Sequence, residues 1–443
     1  MKRKIQTITT LIIAAITLCG TSLKAQAATR QVYWTDSHSQ VYYSINAKTS
    51  DVVKIALQLF AHDMQVVTGH AAKEKVNAPL QIFQIDQLNN KEFAALEKLN
   101  LPIHRFITKK DAFYICTRSG RVIVVGSDAR GTAYGILELS RMAGVSPWND
   151  WNGGKPHRQN SLGTKSGYES LQIPDTEYRG LVLNASRWMS YRNASSIARL
   201  MLRLRANTLW QEATHHEVIY DKAVTDSFDL IIGSGHKLQE VQGKKHKKHR
   251  HSINDIKTLW SNPQLWLRTS APGLILNEMD EKHEAYIANV YDPQSAAYQL
   301  QLVMDLAWNH QSVTPTTLTH HLQTWLSNQL GNDLGKQLLP IMKEYYRLTS
   351  IRQPEYMIMP FGNMEFHSGE FGNELERYLY AYDQLKEKVK KIERSIPKES
   401  NDVFFQLVKY PIFSAALVAE KELEAQEARH IARPGLFDKD DEA

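Results

Sequence analysis

Polar and aromatic residues lie at the ends of three predicted strands in the middle of the chain. Asn184, Trp210 and His236 each end or follow a short apolar run. Because parallel strands deliver their last residues to one face, we expect these side chains to meet in one cleft. A tryptophan beside polar groups suits stacking on a sugar ring. Equally, Trp210 suits a partly buried sheet aromatic, and His236 suits a hydrogen-bonded core histidine.

Three ligand-type residues, His215-His216-Glu217, lie together just past the strand that contains Trp210. Adjacent residues on an extended or helical segment point in different directions, so these three cannot all face one metal ion. The sequence has no second cluster at ligand spacing to complete a metal site. We therefore expect no metal and no cofactor.

The N-terminus has the layout of a cleavable secretory signal. Met1-Lys-Arg-Lys precedes an apolar run at 8–23, and Ala25-Gln-Ala27 follows it. Cleavage after Ala27 would give an exported chain, periplasmic or secreted, that begins at Ala28. Cys19 is the weaker candidate for a lipid anchor, because Leu18 stands where a small residue is expected.

After removal of the signal, the chain would have one cysteine and no apolar run long enough to span a membrane. Cys116 would be the only cysteine left, so no intramolecular disulfide is possible and stability must come from burial. We find no later stretch with the run of about 20 apolar residues that a membrane span needs. No membrane span is therefore expected.

The positive charge is concentrated in two places. The formal net charge is +6, and it falls to +2 without the four basic residues of segment 1–27. Most of the remaining excess lies in the basic run 244–251. Blocks of like charge usually repel one another, which favours a solvated loop. An anionic sugar or polymer is the alternative ligand of this run, and nucleic acid is not expected for an exported protein.

Apolar periodicity divides the rest of the chain into three parts. Residues 28–170 alternate helix and strand, with a helix at 51–68 and strands at 80–85, 113–117 and 122–125, which predicts an α/β sandwich. Gly126 and Gly131 predict a tight turn after the last of these strands and a helix N-terminus near Ser127 or Thr132. Residues 171–294 follow, after a linker at 156–174, with strand–helix–strand units that indicate a parallel barrel. This part is too short for a complete eight-stranded barrel of about 250 residues, so we expect a truncated TIM-barrel-like domain.

The C-terminal part, residues 295–432, is predicted to be a helical bundle, and the tail 433–443 to be disordered. The fold class is therefore α/β plus all-α. The predicted helices of the bundle are 296–307, 318–330, 334–349, 374–393 and 403–425.

Four segments place glycine turns, strand ends and helix starts in a recognisable order: 126–148, 178–184, 202–210 and 405–411. In sequence they resemble glycoside hydrolase family 115, the xylan α-glucuronidases. The resemblance covers most of residues 50–430, with one large gap in the middle. It implies a barrel enzyme preceded by an accessory domain like the second domain of hexosaminidases.

This chain departs from the family at the sequence motifs of the family's active site. After Tyr-Arg-Gly the family has Asn-Asp-Glu, whereas this chain has Asn184-Ala185-Ser186. The family's Gly-Thr-Ser-His-His-Glu-Pro corresponds to Gly233-Ser-Gly-His-Lys-Leu-Gln239, which keeps His236 and has Leu238 in place of the glutamate. Trp210 keeps the first tryptophan of Leu-Trp-Pro-Ala-Met-Trp. The family's carboxylates at these places are therefore replaced.

Several family strands beyond Gln239 look deleted, together with a further acidic cluster. The match resumes at Ile287-Ala-Asn-Val-Tyr-Asp292, which is similar to the family's Val-Asn-Val-Gly-Asp, and continues at 302–308 and 351–355. The resemblance thus implies Asn289 as a substrate-binding residue, with Asn184, Trp210 and His236.

The resemblance implies inversion at the glycosidic bond, which ordinarily needs two carboxyl groups, one as acid and one to activate water. Near the predicted strand ends the acids are Glu212, Glu278 and Asp292, and only Asp292 lies in a matched motif. Glu212 also suits a solvent-facing or capping acid. Asp292 also suits the N-cap of a helix that begins near Pro293. The catalytic residues stay unassigned, with Asp292 and Glu212 as candidates.

The resemblance implies a glycoside hydrolase whose substrate is an oligo- or polysaccharide that carries uronic acid. Loss of one of two cooperating carboxylates commonly costs orders of magnitude in rate, so we expect weak or lost activity. The alternative is a non-catalytic binder of an acidic glycan or of a partner protein.

Overall fold

A computed structural model describes three successive parts of the chain: an α/β unit, a central sheet and a set of long helices. The described residues are 30–46, 49–183, 194–211, 222–234, 237–239, 285–289, 293–294, 296–352, 357, 366–367 and 370–432. The α/β plus all-α fold class is confirmed.

The N-terminal unit is built on a mixed sheet. Its strands are β1 (Gln31–Tyr33), β2 (Tyr42–Ile45), β3 (Lys73–Glu74), β4 (Leu80–Gln84), β5 (Phe113–Arg118), β6 (Arg121–Gly126), β7 (Gly163–Lys165) and β8 (Glu169–Gln172). Its helices are α1 (Asp51–Thr68), α2 (Asn90–Glu97), α3 (Ala129–Met142) and α4 (Asn149–Asn152). The sheet order is β3-β2-β4-β6-β5-β8, in which β2, β3, β4 and β6 are parallel, and β1 pairs separately with β7.

Both faces of this sheet are buried. Along β6, Val122 and Val124 belong to the large core that also contains α1 and α3, whereas Ile123 and Val125 pack into a smaller core with Phe106. Residues alternate between faces because successive side chains of a strand point to opposite sides. The apolar run of β6 is therefore that of a strand covered on both sides.

The turn between β6 and α3 corrects one sequence prediction. We expected the helix to begin near Ser127 or Thr132, but it begins at Ala129, and the Asp128 side chain caps it by accepting from the Gly131 N–H. Gly131 lies inside the first helical turn, where an added Cβ would overlap the Ala112 carbonyl oxygen. This glycine is needed for close helix–strand packing.

The central sheet is mostly parallel. Its strands are β9 (Tyr178–Leu183), β10 (Thr208–Gln211), β11 (Ile231–Ser234), β12 (Lys237–Gln239) and β13 (Ala285–Asn289), with helices α5 (Ala194–Arg203) and α6 (Lys222–Ser227) between them. The order is β12-β11-β10-β9-β13, and only β12 runs antiparallel to its neighbour. Over the described residues this is an open sheet and not a closed ring of eight strands.

The C-terminal part is helical, as predicted. Its helices are α7 (Ala297–Trp308), α8 (Leu318–Leu330), α9 (Asn332–Ile351), α10 (Glu374–Glu393), α11 (Asn401–Phe404) and α12 (Tyr410–Ala432). The bounds of α8 and α10 agree with the sequence prediction. The single helix predicted at 403–425 is instead interrupted by a π-helical turn at Phe405–Lys409. Pro411 follows this turn, and its missing N–H removes a helical hydrogen bond there.

The run Lys398–Arg429 has the length and hydropathy of a membrane span, which the sequence analysis did not anticipate. Half of its most apolar window is buried inside the fold. Val408, Ile412 and Ala419 lie in the large core, and α12 contacts α10. Phe405, Tyr410 and Leu417 of the same run are exposed, so the run has one buried and one exposed side.

Candidate active site

The C-terminal edge of the central sheet is the candidate site. In the strand register, Leu183 pairs with Gln211, and Gln211 pairs with Ser234, so the ends of β9, β10 and β11 lie level. Asn289, the last residue of β13, pairs with Val182. Segments that follow parallel strands leave from one edge, where the active sites of barrel enzymes lie.

Two predicted site residues have a described backbone at this edge. Trp210 in β10 and Asn289 in β13 pair with Val182 from opposite sides, so the three positions form one row across adjacent strands. The other predicted residues lie outside the described residues: Asn184, Glu212, His236 and Asp292, with His215–Glu217 and the basic run 244–251. Their convergence on one cleft stays a prediction.

The described strand ends have no acid for hydrolysis. The last residues of the four parallel strands are Leu183, Gln211, Ser234 and Asn289, and none of these is a carboxylate. The candidate acids Glu212 and Asp292 lie in the segments that follow β10 and β13. Within the described ranges, no group of three histidine, cysteine or acidic residues is arranged to hold a metal ion.

The opposite, N-terminal edge of the sheet carries a buried ionic cluster. Asp111, from the N-terminal unit, accepts from Arg130 Nε at 2.6 Å and from Arg179 Nη2 at 2.7 Å. Asn207, just before β10, donates to the same carboxylate at 2.7 Å. The Arg130 guanidinium also donates to the Asp229 carbonyl, just before β11. Asp111 and Arg130 together thereby join the N-terminal unit to three strands of the central sheet.

Two acids of this region have opposite pKa shifts. Burial raises the pKa of Asp111, but the adjacent Arg130 and Arg179 outweigh burial and lower it to about 2. Burial, together with the negative charge of Asp111, raises the pKa of Asp128 to about 6. The cluster therefore holds one firmly ionised carboxylate beside one that titrates in mildly acidic solution.

A tryptophan at the end of α7 joins this edge to the helices. The guanidinium groups of Arg179 and Arg205 lie 5.1 and 4.8 Å from the ring centre of Trp308, which is cation–π distance. Arg205 also pairs with Glu138 of α3 at 2.9 Å. The sequence motifs did not indicate this cluster, although Arg179, Arg205 and Trp308 all lie in segments that carry the family resemblance.

Comparison with known proteins agrees with this architecture. Residues 255–356 match the family model described as glycosyl hydrolase family 115. No curated protein sequence matches the chain. Among solved structures, a family 115 4-O-methyl-α-glucuronidase with specificity for decorated arabinogalactans is similar, with a TM-score of 0.73 and 23% identity, over 89% of this chain and 74% of that chain.

Other solved structures are less similar. A family 138 glycoside hydrolase that targets pectin rhamnogalacturonan II has a TM-score of 0.49 and 8% identity, over 86% of this chain and 69% of that one. A β-N-acetylhexosaminidase from Bacteroides fragilis has a TM-score of 0.26 and 16% identity, over 42% of this chain and 30% of that one. Neither supports a further conclusion.

The chain is similar in fold to a glycoside hydrolase, and one segment of its sequence matches a glycoside hydrolase family model. The resemblance to glycoside hydrolase family 115 is confirmed, by the matched segment and by the fold shared with a family 115 enzyme. The matched segment contains the resumed similarity at 287–292, 302–308 and 351–355. The four segments quoted first for the resemblance lie outside it.

Proposed function

We propose that this chain is an exported carbohydrate-active protein, descended from inverting xylan α-glucuronidases, whose hydrolytic activity is weak or lost. Its ligand is a glycan that carries uronic acid, bound at the C-terminal edge of the central sheet. One observation supports this most: four parallel strands end together there, in the fold of a 4-O-methyl-α-glucuronidase.

The expected loss of activity rests on the site signatures. Ala185, Ser186 and Leu238 stand where the family has carboxylates, and a neutral side chain cannot move the required proton. Asp292 and Glu212 are the remaining candidates for the acid and for the base that activates water. Inversion would need their carboxyl groups about 6.5–9.5 Å apart.

The second candidate function is a non-catalytic binder of an acidic glycan or of a partner protein. The same three replacements favour it, because they remove proton transfer and leave Asn184, Trp210 and Asn289 to contact a sugar. The basic run 244–251 would supply positive charge to such a ligand.

The experiment compares hydrolysis with binding on the same glycans. Purified protein is incubated with glucuronoxylan and with arabinogalactan decorated with glucuronic acid, and released uronic acid is measured beside affinity electrophoresis on both polymers. We expect retention on at least one polymer, with little or no release. Absence of both binding and release would refute the proposal.

Variants of the two candidate acids distinguish a hydrolase from a non-catalytic binder. Robust release that Asp292→Asn or Glu212→Gln abolishes would show that the remaining acids carry the reaction. Glu387→Gln, an exposed acid on α10, is the control for an isosteric change away from the site. Export is tested on its own by N-terminal sequencing of the exported protein, which should begin at Ala28.

A further inference from the structure

A cavity lies beside the N-terminal edge of the central sheet, at the edge opposite the candidate active site. It has a volume of about 420 Å³ and is lined by the end of α3 with its following loop, by α7 and by α8. This volume lies in the range of about 300–1,000 Å³ that small-molecule sites occupy. Arg205 and Trp308, which belong to the N-terminal edge of the sheet, form part of its wall.

One wall of the cavity has polar atoms that lack a partner. His321, Trp325 and Gln329 lie four residues apart on α8 and therefore share one face of the helix. The Trp325 Nε1 donor and the Gln329 Oε1 acceptor are both buried, and no group in the described part of the chain hydrogen-bonds to them. A buried polar group without a partner is costly, so this wall favours a ligand that both donates and accepts. Hydroxyl groups do both.

The cavity also has a guanidinium group, that of Arg141, on its wall. Glu138 pairs with Arg205 at 2.9 Å, whereas its distance to Arg141 is 3.8 Å. Across the described ranges, the Arg141 guanidinium makes no hydrogen bond to a carboxylate. Burial lowers the pKa of Arg141, but the charges of Glu138 and Asp305 outweigh burial and raise it, so the guanidinium stays protonated. A carboxylate is the group that such a guanidinium binds best.

A fixed acceptor lies between the cationic part and the polar wall. Asp305 accepts from Gln301 Nε2 at 2.9 Å and lies 3.3 Å from His321 Nε2. Burial raises its pKa, but the His321 hydrogen bond and the charges of Arg141 and Arg205 hold the pKa below its ordinary value. Asp305 therefore stays ionised, and it can accept hydrogen bonds from ligand hydroxyl groups.

We propose that this cavity is a second carbohydrate site that takes a sugar acid of monosaccharide size. The sugar carboxylate pairs with Arg141, and the hydroxyl groups bond to Asp305, Trp325 and Gln329. The site goes beyond the proposed function, because it uses none of the residues at the C-terminal edge of the sheet.

The test is calorimetric titration of the full chain with sodium D-glucuronate and with D-glucose. We expect glucuronate to bind, and glucose to bind at least about tenfold more weakly because it lacks the charge-assisted contact. Trp325→Phe keeps an aromatic ring and removes the indole N–H, so it should weaken glucuronate binding about tenfold. Arg141→Gln should abolish the preference for glucuronate over glucose.

Two control variants show where in the protein glucuronate binds. Arg347→Gln, on the exposed side of α9, should leave the affinity unchanged. Trp210→Ala should remove only glucuronate binding that belongs to the strand-edge site and should leave the part that depends on Arg141 and Trp325, which keeps the two proposals independently testable. No glucuronate binding, or binding that neither Trp325→Phe nor Arg141→Gln weakens, would overturn the inference.

Crystals of the unmodified protein soaked in glucuronate give a readout that does not depend on variants. Sugar density beside Arg141 and Trp325 would support the proposal. Ordered water alone at Trp325 Nε1 would overturn it, because water would then satisfy the wall without a ligand.

Discussion

The two edges of the central sheet differ in the charged contacts that their residues make. At the N-terminal edge, one buried carboxylate, Asp111, binds two arginines and an asparagine within 2.7 Å. At the C-terminal edge the described strands end in uncharged residues. Residues shared with an enzyme family therefore need not be residues of its chemistry. Those at the N-terminal edge hold the parts of the chain together, so the fold can persist when catalytic carboxylates are replaced.

The largest effect is expected from Asp111→Ala. It would leave Arg130 and Arg179 buried without their carboxylate, and the loss of one partner from a buried ion pair costs about 3–5 kcal/mol. We expect the free energy of unfolding to fall by about this amount in urea titrations.

Asp383→Ala is the matched control, because Asp383 is exposed on α10 and its ion pair with Lys386 is on the surface. It should change stability by less than about 1 kcal/mol. A similar small change for Asp111→Ala would contradict the view that the N-terminal edge holds the units together.

A smaller effect on stability is expected from Asp128→Asn, and this effect should depend on pH. Between pH about 4 and 6 folded Asp128 keeps a proton that the unfolded chain has released, so its contribution to stability is lost as the pH rises through this range. Asp111 acts oppositely, since its contribution is complete above pH about 4 and is lost as the pH falls towards 2.

In the unmodified protein, the free energy of unfolding should decrease by about 1–3 kcal/mol between pH 4 and 6, and this decrease should be absent in Asp128→Asn. The increase between pH 2 and 4, which comes from Asp111, should remain in the variant. Urea unfolding at several pH values measures both slopes. An unchanged slope between pH 4 and 6 would show that Asp128 titrates at the same pH in both states.

The smallest effect on stability is expected at the C-terminal edge, from Asn289→Ala. Asn289 ends its strand, so its truncation should cost less than about 1 kcal/mol. Retention on glucuronoxylan should nevertheless decrease clearly in affinity electrophoresis. If the variant instead unfolds the protein, the two edges do not differ in the way proposed.

Local patterns were sufficient to predict most elements. The helices α8 and α10 match to the residue, because each has a regular apolar face, and Gly331 ends α8 with a positive φ of 94°. The start of α3 was misplaced because Gly131 was interpreted as a turn residue, whereas the contact that requires a glycine there is with Ala112.

The Asp111 cluster could not be predicted from local sequence. Its partners Arg130, Arg179 and Asn207 lie 19, 68 and 96 positions away in the chain, and no periodicity links them. The candidate site was predicted only as a row of strand ends. Trp210 and Asn289 lie in such a row, because parallel pairing fixes the register of the strands. The register does not determine the conformation of the loops beyond the strands.

The Asp111 cluster also has an evolutionary consequence. A recombination event that inherited residues 28–170 without the central sheet would leave Asp111 without Arg179 and Asn207, and would leave Arg130 without the Asp229 carbonyl. Such a fragment would keep only the Asp111–Arg130 pair of the cluster and would expose it to solvent, where an ion pair contributes about 0–1 kcal/mol. The N-terminal unit is therefore not a freely exchangeable module, and selection acts on it together with the sheet even if catalysis is no longer under selection.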